Sequence, residues 1–289
     1  MQLVELKKSE FAKLAKFIYE KTGIHLPETK ITLLANRLRK RLRALDLESY
    51  SAYYDLLQDK RSYEEELPHF LSAVTTNETY FFRNENLWKF VQEKWIPQIV
   101  ESRKGKTEKS VRVWSAASSS GEEAYTTAIC LREKLADFST WNVSIVGSDI
   151  SDRVLEHARA GVYGEYAVAR MPKSALSKWF TKKEDQFALK DEIRQSVRFQ
   201  FHNLRDPMTP GNFDLVFLRN VLMYFDTEMK KRVLENVARA VAPGGYLVIG
   251  DVDPVRNDKT LDSILGMDHD GPNLYRKPLL VPAGTRKDH

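Results

Sequence analysis

The first 75 residues carry apolar positions that recur at helical spacing. One stripe consists of Phe11, Leu14, Ala15, Ile18 and Tyr19. A second consists of Ile31, Leu34, Leu38, Leu42 and Leu45. Spacings of three and four residues place each set on one face of a helix. Two more helices are predicted over 49–57 and 63–74, and no strand pattern appears before about residue 110. Residues 1–75 are therefore predicted to form an all-α N-terminal domain.

From residue 111 onward, short runs rich in β-branched residues alternate with helical patterns. Strands are predicted over 111–116, 143–149, 197–202, 213–218, 246–249 and 273–277. Helices are predicted over 121–136, 152–160 and 227–241, and Pro243-Gly-Gly245 ends the last of them. This alternation is typical of a parallel sheet that is covered by helices on both faces. Residues 76–289 are therefore predicted to form a doubly wound, Rossmann-like α/β domain.

Two segments depart from this alternation. Residues 161–196 are too long for a simple connection, and insertions of that length usually carry structure or function of their own. Short strands are expected there, over 186–190 and 194–199. Residues 252–272 are polar and rich in aspartate, and we expect a surface segment.

Composition limits the class of protein. The chain of 289 residues is 42% hydrophobic, has a net charge of +5 and contains one cysteine, Cys130. A single cysteine excludes internal disulfides and cysteine-rich zinc sites, and no metal site is predicted. No apolar run approaches the roughly 18 residues that span a bilayer, and the first residues do not resemble a signal peptide. We expect a cytoplasmic protein without membrane insertion, whose mild basic charge is compatible with nucleic acid or an acidic protein.

The loops after the first two predicted strands carry the candidate chemistry. Ala116-Ala-Ser-Ser-Ser-Gly-Glu122 is built of small residues that let a ligand approach the backbone, and it contains no phosphate-binding motif. Glu122 and Glu123 could face a cationic ligand, or could simply favour a helix N-terminus. Asp149 could accept hydrogen bonds from ribose hydroxyls, or could cap the next helix. Together these features favour a nucleoside without phosphates, and S-adenosylmethionine is the commonest one on this fold.

Five motifs then occur in a distinctive order. They are Thr75-Thr-Asn-Glu-Thr-Tyr-Phe-Phe-Arg83, Val113-Trp-Ser-Ala-Ala-Ser-Ser-Ser-Gly-Glu-Glu123, Gly147-Ser-Asp-Ile150, Asn203-Leu204 and Phe217-Leu-Arg-Asn-Val-Leu-Met-Tyr-Phe-Asp226. With them, nearly the whole chain resembles the chemotaxis receptor methyltransferase family, CheR. In that family S-adenosylmethionine donates a methyl group to receptor glutamates and leaves as S-adenosylhomocysteine. The resemblance implies protein-glutamate O-methyltransferase activity.

The resemblance also implies roles for individual residues. The implied cofactor contacts are Asn77, Thr79, Arg83, Glu122, Asp149, Asn203, Leu204, Leu218 and Arg219. Arg83 and Tyr224 would lie beside the transferred methyl group. Without the resemblance, the apolar run around Tyr224 favours a core aromatic residue, and Arg83 could be a surface arginine that caps a helix. Residues 161–196 match an inserted antiparallel β-subdomain, which in some members binds the C-terminal tether peptide of a receptor.

A basic run lies on the second predicted helix, with no acid between residues 29 and 45. Its residues include Arg37, Arg39, Lys40, Arg41 and Arg43. Like charges one turn apart repel, so something must offset them. One interpretation is a solvated face. The other, implied by the resemblance, is a docking face for the acidic methylation helices of a chemoreceptor.

Two features keep other functions open. The chain reads Gly250-Asp-Val-Asp253 where the family usually has Gly-His-Ser-Glu, which puts any contact by the usual histidine or serine in doubt. A nucleic-acid methyltransferase and a non-catalytic adaptor that binds S-adenosylmethionine are the alternatives. Against the first, Leu218-Arg-Asn-Val replaces the Asn-Pro-Pro-Tyr type of turn, and Cys130 lies in mid-helix, where a packed role is favoured. Retention of Arg83 and Tyr224 argues against the second.

Overall fold

The computed structural model describes residues 5–253, 255 and 258–279. Its N-terminal part is helical, as the apolar stripes predict. The helices are α1 (Lys8–Thr22), α2 (Ile31–Ala44), α3 (Tyr50–Gln58) and α4 (Lys60–Val74), with a 3₁₀ turn at Glu28–Lys30. Their apolar faces form one core that includes Leu14, Leu38 and Phe70, each essentially fully buried. Gly23 ends α1 at a left-handed φ of 77°, a conformation that glycine adopts without strain.

The rest of the chain forms a seven-stranded mixed sheet covered by helices. Its strands are β1 (Lys109–Ala116), β2 (Trp141–Asp149), β6 (Val197–Phe201), β7 (Phe213–Leu218), β8 (Val241–Ile249), β9 (Asp268–Gly271) and β10 (Leu274–Arg276). The order is β6-β2-β1-β7-β8-β10-β9, and the first five strands are parallel. The direction in which successive strands are added to the sheet reverses at β1. Doubly wound α/β domains bind ligands at such a point, beyond the carboxyl ends of the strands.

In the described part of the chain, six helices cover the sheet. They are α5 (Glu85–Phe90), α6 (Ile96–Ser102), α7 (Glu122–Lys134), α8 (Asp152–Ala160), α12 (Thr227–Ala240) and α13 (Lys259–Leu265). The sequence predicts three of them, α7, α8 and α12. A π-helical turn, Val91–Trp95, joins α5 to α6. Cys130 lies on α7 and is buried in the core between that helix and the sheet.

The insertion at 161–196 is a small antiparallel sheet with short helices. Its strands β3 (Val162–Gly164), β4 (Phe180–Lys183) and β5 (Gln186–Leu189) pair in the order β3-β5-β4. Three short helices accompany them: α9 (Glu165–Val168), α10 (Lys173–Trp179) and α11 (Asp191–Arg194). The strand expected at 186–190 is present. The one expected at 194–199 is wrong for the subdomain, because this stretch ends α11 and then enters β6 of the main sheet.

Two further expectations need correction. Pro243-Gly-Gly245 does not end a helix before a separate strand. It lies in an irregularity of β8, whose pairing with β7 jumps from Val241 to Tyr246. Residues 252–272 are not simply a surface segment, because Asp253 and Val255 are buried and Asp258 caps α13. The aspartates made the segment look solvent-exposed, although two of them accept backbone hydrogen bonds.

The helical part packs directly on the carboxyl ends of the strands. Ile24 forms an antiparallel bridge with Phe225, and the His25 amide donates to the Tyr224 carbonyl at 2.9 Å. The Asn203 side chain donates to the Lys21 carbonyl at 2.9 Å. The end of α1 is therefore fixed against the loops after β6 and β7. No helix in the described residues is long and apolar enough to cross a membrane.

Candidate functional site

A cavity of about 430 Å³ lies between the helical part and the carboxyl ends of β1, β2, β6 and β7. Its wall includes residues from α1 to α2, from the segment 74–83 that links the two parts, and from the loops after these four strands. That volume is within the usual range for small-molecule sites, roughly 300–1,000 Å³. The site is therefore built jointly by the two parts of the chain.

The loop after β1 is held in an unusual conformation. Ala117, Ser119 and Gly121 have left-handed φ values of 56°, 50° and 93°. Phe82, in the linker beside the cavity, also has a left-handed φ, 57°. Such values are uncommon for residues other than glycine, asparagine and aspartate. Such backbone strain persists only where the surroundings fix it, and it concentrates at functional sites.

Asp149 at the end of β2 organises this loop. Its carboxylate accepts from the Ser119 amide at 2.9 Å and from the Ser151 amide at 3.0 Å. Burial raises the pKa of Asp149, and these backbone donors act in the opposite direction. Each oxygen keeps a second lone pair for a ligand. The side chain is thus both the anchor of the loop and a wall of the cavity.

The two adjacent glutamates at the start of α7 have different environments. Glu122 points into the protein, is 3% exposed, and accepts from the Ser120 hydroxyl at 2.8 Å. Glu123 lies in the cavity wall and forms an ion pair with Arg219 at 2.8 Å. Glu122 was expected to face the cofactor, but it does not belong to the wall. Adjacent residues of a helix point about 100° apart, so Glu123 faces the cavity while Glu122 faces the interior.

Arg83 and Tyr224 both line the cavity, one from the linker and the other from the loop after β7. The Arg83 guanidinium donates to the Glu78 carbonyl at 3.0 Å and lies 5.6 Å from the centre of the Tyr80 ring. Tyr224 ends a 3₁₀ turn after β7, Leu222–Tyr224. Neither side chain is fully buried, so both can meet a second reactant.

Arg37 of α2 also belongs to this wall. Its guanidinium donates to the Val74 carbonyl and to the Thr76 hydroxyl. Burial lowers the pKa of Arg37, and the nearby Tyr224 phenol acts in the opposite direction. Arg37, predicted to lie on a surface docking face, therefore also reaches the cavity.

The other residues of the basic run have different surroundings. Arg41 forms a two-pronged ion pair with Glu66, at 2.8 and 2.6 Å, and Tyr53 donates to the same carboxylate at 2.6 Å. Arg41 is thus an internal tie between α2 and α4 and not a free docking charge. Arg39 is half-buried, whereas Lys40 and Arg43 are exposed. The charge repulsion expected along α2 is offset by Glu66, which lies outside the run.

Most of the residues expected at the cofactor site share this cavity wall. They are Asn77, Thr79, Arg83, Asp149, Asn203, Leu204 and Arg219. Leu218 is fully buried at the end of β7 and does not belong to the wall. Arg37 and Asn220 do belong to the wall, although neither was expected at the cofactor site. Glu123 belongs to it too; the sequence indicated it only as one of two acids that could face a cationic ligand. No local signal in the sequence separates Glu123 from Glu122, because which of them faces the cavity depends on the rotation of α7 against the sheet.

The cavity fits S-adenosylmethionine by the chemistry of its wall. Asp149 offers carboxylate lone pairs suited to ribose hydroxyls, next to a loop of small residues. Glu123 and Arg219 offer opposite charges suited to the amino and carboxylate groups of an amino acid. The Ser118 hydroxyl is buried in the wall without a hydrogen-bond partner in the structure. These donors and acceptors match a nucleoside joined to an amino acid.

Comparisons with known proteins agree with this fit. Residues 77–270 match the model described as CheR methyltransferase, SAM binding domain. Residues 9–75 match the model described as CheR methyltransferase, all-alpha domain.

Similar proteins match along most of their length. A chemotaxis protein methyltransferase of Borreliella burgdorferi is 32% identical over 278 residues, covering 95% of this chain and 96% of that protein. Chemotaxis protein methyltransferase 2 of Pseudomonas aeruginosa is 36% identical, covering 84% and 85%. Chemotaxis protein methyltransferase 2 of Vibrio cholerae is 33% identical, covering 86% and 87%.

Proposed function

Because this chain belongs to the CheR methyltransferase family, we propose that it methylates glutamate side chains of a chemotaxis receptor to give methyl esters. The observation that carries the proposal is one cavity in which a cofactor wall, Asp149 and the Glu123–Arg219 pair, adjoins Arg37, Arg83 and Tyr224. A nucleoside-binding wall next to basic and phenolic side chains suits an acceptor that is an anion.

The cofactor wall would hold S-adenosylmethionine, which supplies an activated methyl group when bound. Asp149 would accept hydrogen bonds from the ribose, and Asn203 with Leu204 would flank the base beyond it. Glu123 and Arg219 would hold the amino-acid end; their side chains are 13% and 6% exposed, so little water competes for them. Asn77 and Thr79 of the linker would close the wall above the loop, where the Ser119 hydroxyl donates to the Asn77 carbonyl at 3.0 Å.

The remaining wall would position the acceptor. A glutamate with a reference pKa of about 4.3 is already ionised at neutral pH, so no general base is needed. The task is to align one carboxylate oxygen with the methyl carbon and to exclude water. Arg83 and Arg37 can bind a carboxylate through paired hydrogen bonds, and the Tyr224 hydroxyl can orient it. Arg83 and Tyr224 are accordingly proposed as the catalytic residues.

The acceptor would approach along α2. Lys40 and Arg43 are exposed on that helix, and Arg37 lies on the same helix and reaches the cavity. We propose that these charges guide an acidic receptor helix towards the cavity. A receptor tether at the inserted β-subdomain stays a prediction from the family resemblance.

The test is methyl transfer from tritiated S-adenosylmethionine to membranes that contain the chemoreceptors of the source organism. We expect label on the receptor that is released as volatile methanol by mild base, as for a carboxyl ester. Arg83→Ala and Tyr224→Phe should each lower turnover by at least tenfold, a loss of about 1.4 kcal/mol of transition-state stabilisation. Base-stable label, label on RNA, or unchanged turnover in both variants would contradict the proposal.

A further inference from the structure

The loop after β8, Gly250-Asp-Val-Asp253, is the motif that the proposed function leaves without a role. It departs from the usual family pattern, yet two of its side chains make defined contacts. Neither Asp251 nor Asp253 belongs to the cavity wall. Each one instead accepts hydrogen bonds from a segment that carries a wall residue.

Asp253 binds the segment that leads to Tyr224. It is 3% exposed, and its carboxylate accepts from the Asn220 amide at 2.7 Å and from the Met223 amide at 3.0 Å. Asn220 is held at a left-handed φ of 58°. A carboxylate that accepts two backbone amides fixes the path of the chain between them, because both amides would otherwise be left without a partner. The 3₁₀ turn that presents Tyr224 is thereby anchored.

Asp251 binds the segment that leads from Arg83. Its carboxylate accepts from the Asn84 amide group at 2.7 Å and from the Asn273 amide group at 3.1 Å. Asn84 follows Arg83 directly, adopts a left-handed φ of 71° and caps α5 through the Leu87 amide at 3.3 Å. Through Asn84, the loop therefore reaches the second proposed catalytic residue.

Gly250 allows this close packing of loops. A β-carbon there would lie 2.5 Å from the Asn220 nitrogen and 2.6 Å from the Asp253 carboxylate. Both neighbours are fixed parts of the anchor, so neither can move away cheaply. The glycine and the two aspartates form one connected unit with three left-handed asparagines, Asn84, Asn220 and Asn273.

We propose that Asp251 and Asp253 are positioning residues that hold Arg83 and Tyr224 in register across the cavity. This inference rests on the proposed function, because it concerns the same methyl transfer. One loop carries both aspartates, two residues apart, and each aspartate holds the segment of one residue of the reacting pair. Disturbing the loop should therefore lower the rate of transfer more than it lowers affinity for the cofactor.

A double-mutant cycle tests whether Asp253 acts on the rate through Tyr224. In otherwise native enzyme we expect Asp253→Asn to lower kcat about tenfold, within the usual range of coupling between residues in one network. In the Tyr224→Phe enzyme the same change should lower kcat less than about twofold, because the group that it positions is already altered. Affinity for S-adenosylhomocysteine should change less than about threefold. Asp253→Glu, which restores a carboxylate, should recover part of the rate.

Asp258→Asn is the matched control. Asp258 also accepts two backbone amides, those of Thr260 and Leu261, but does so at the start of α13 away from the cavity. This variant should lose stability without losing kcat. If Asp253→Asn and Asp258→Asn lower kcat equally, or if the effect of Asp253→Asn is the same with and without Tyr224, the inference is overturned.

Hydrogen exchange supplies a readout that does not need turnover. With S-adenosylhomocysteine bound, Asp253→Asn should speed hydrogen exchange in residues 219–225, whereas Asp258→Asn should not. If the two variants exchange at equal rates in these residues, the inference is also overturned. Asp251→Ala should act in the same way on 83–87. An inactive native enzyme would contradict the proposed function, while an active native enzyme with normal Asp253→Asn kinetics would contradict only this inference.

Discussion

At the scale of single residues, the cavity separates side chains that look equivalent in the sequence. Glu122 and Glu123 are neighbours of the same type, yet one is enclosed beneath Ser120 and the other pairs with Arg219 in the cavity. The sequence indicated that acids begin this helix. It could not indicate which acid faces a ligand, because that depends on the rotation of α7 against the sheet.

Replacing Glu123 should weaken cofactor binding strongly. Glu123→Gln leaves the Arg219 guanidinium without its ionic partner in a largely dry environment, where a lost charge pair is costly. We expect the Kd of S-adenosylhomocysteine to rise at least tenfold, or about 1.4 kcal/mol. Titration calorimetry measures it, with Glu122→Gln as the control, for which less than a threefold change is expected. Equal losses in the two variants would contradict the assignment.

Replacing Glu122 should instead reveal the cost of a buried charge. Burial raises the pKa of Glu122, so its ionised form destabilises the folded state. This penalty is complete above the raised pKa and disappears below the ordinary value, near pH 4. Glu122→Gln keeps an acceptor for Ser120 and should raise the melting temperature by roughly 2–4 °C at pH 8, with the gain shrinking as pH falls. Calorimetry at several pH values measures this; a gain that grows towards acid would contradict it.

At the scale of elements, α2 shows how one basic helix serves several ends. Arg37 lines the cavity, and Arg41 joins α2 to α4 through its ion pair with Glu66. Lys40 and Arg43 are exposed to solvent. The sequence predicted the helix and its charge, because both depend on local pattern. It did not predict which basic residue does what, because the partners Glu66 and Val74 lie far from α2 in the sequence.

Reversing the exposed charges should impair receptor methylation alone. The variant Lys40→Glu/Arg43→Glu should raise the KM for receptor about tenfold, because charges at the rim mainly affect encounter with an oppositely charged partner. Its affinity for S-adenosylhomocysteine should stay unchanged. Arg41→Met is the contrasting variant: it leaves Glu66 buried and unpaired and should cost about 3–5 kcal/mol of stability in urea unfolding. A loss of cofactor binding in the double reversal would contradict docking.

The loop after β1 depends on a glycine of the neighbouring strand. A β-carbon on Gly147 would lie 2.5 Å from the Phe199 ring and 3.1 Å from the Ser118 hydroxyl. Gly147→Ala should therefore cost about 1–3 kcal/mol by overpacking, as measured by urea unfolding. Gly164→Ala is the control, because nothing lies within 4 Å of its β-carbon and its φ is −81°. Equal stability of the two variants would contradict the packing argument.

At the scale of the whole molecule, the sequence predicted the two parts and most of the sheet, but not how they meet. The strands over 213–218 and the helix over 152–160 agree with β7 and α8 to the residue. The bulge in β8 and the burial of Asp253 were missed, because both arise from contacts between distant segments. The meeting of Ile24 with Phe225 is of the same kind.

Cofactor binding should stabilise the molecule as one unit, since both parts wall the cavity. At a concentration of S-adenosylhomocysteine one hundred times its Kd, the gain should be about 2.7 kcal/mol. That corresponds to a rise of roughly 5–10 °C in melting temperature. Differential scanning calorimetry should show a single transition that moves as a whole. Two transitions, of which only one shifts with ligand, would show that the helical part does not share in binding.

The left-handed residues around the cavity bear on how this enzyme would respond to selection for heat resistance. Ala117 and Ser119 hold a backbone conformation that costs a residue with a β-carbon about 1–2 kcal/mol. Glycine at either position would relieve that strain, so a screen for survival at high temperature would favour it. The same changes would soften the loop that Asp149 anchors. Thermostable descendants selected without an activity assay would therefore drift towards well-folded, slow enzymes.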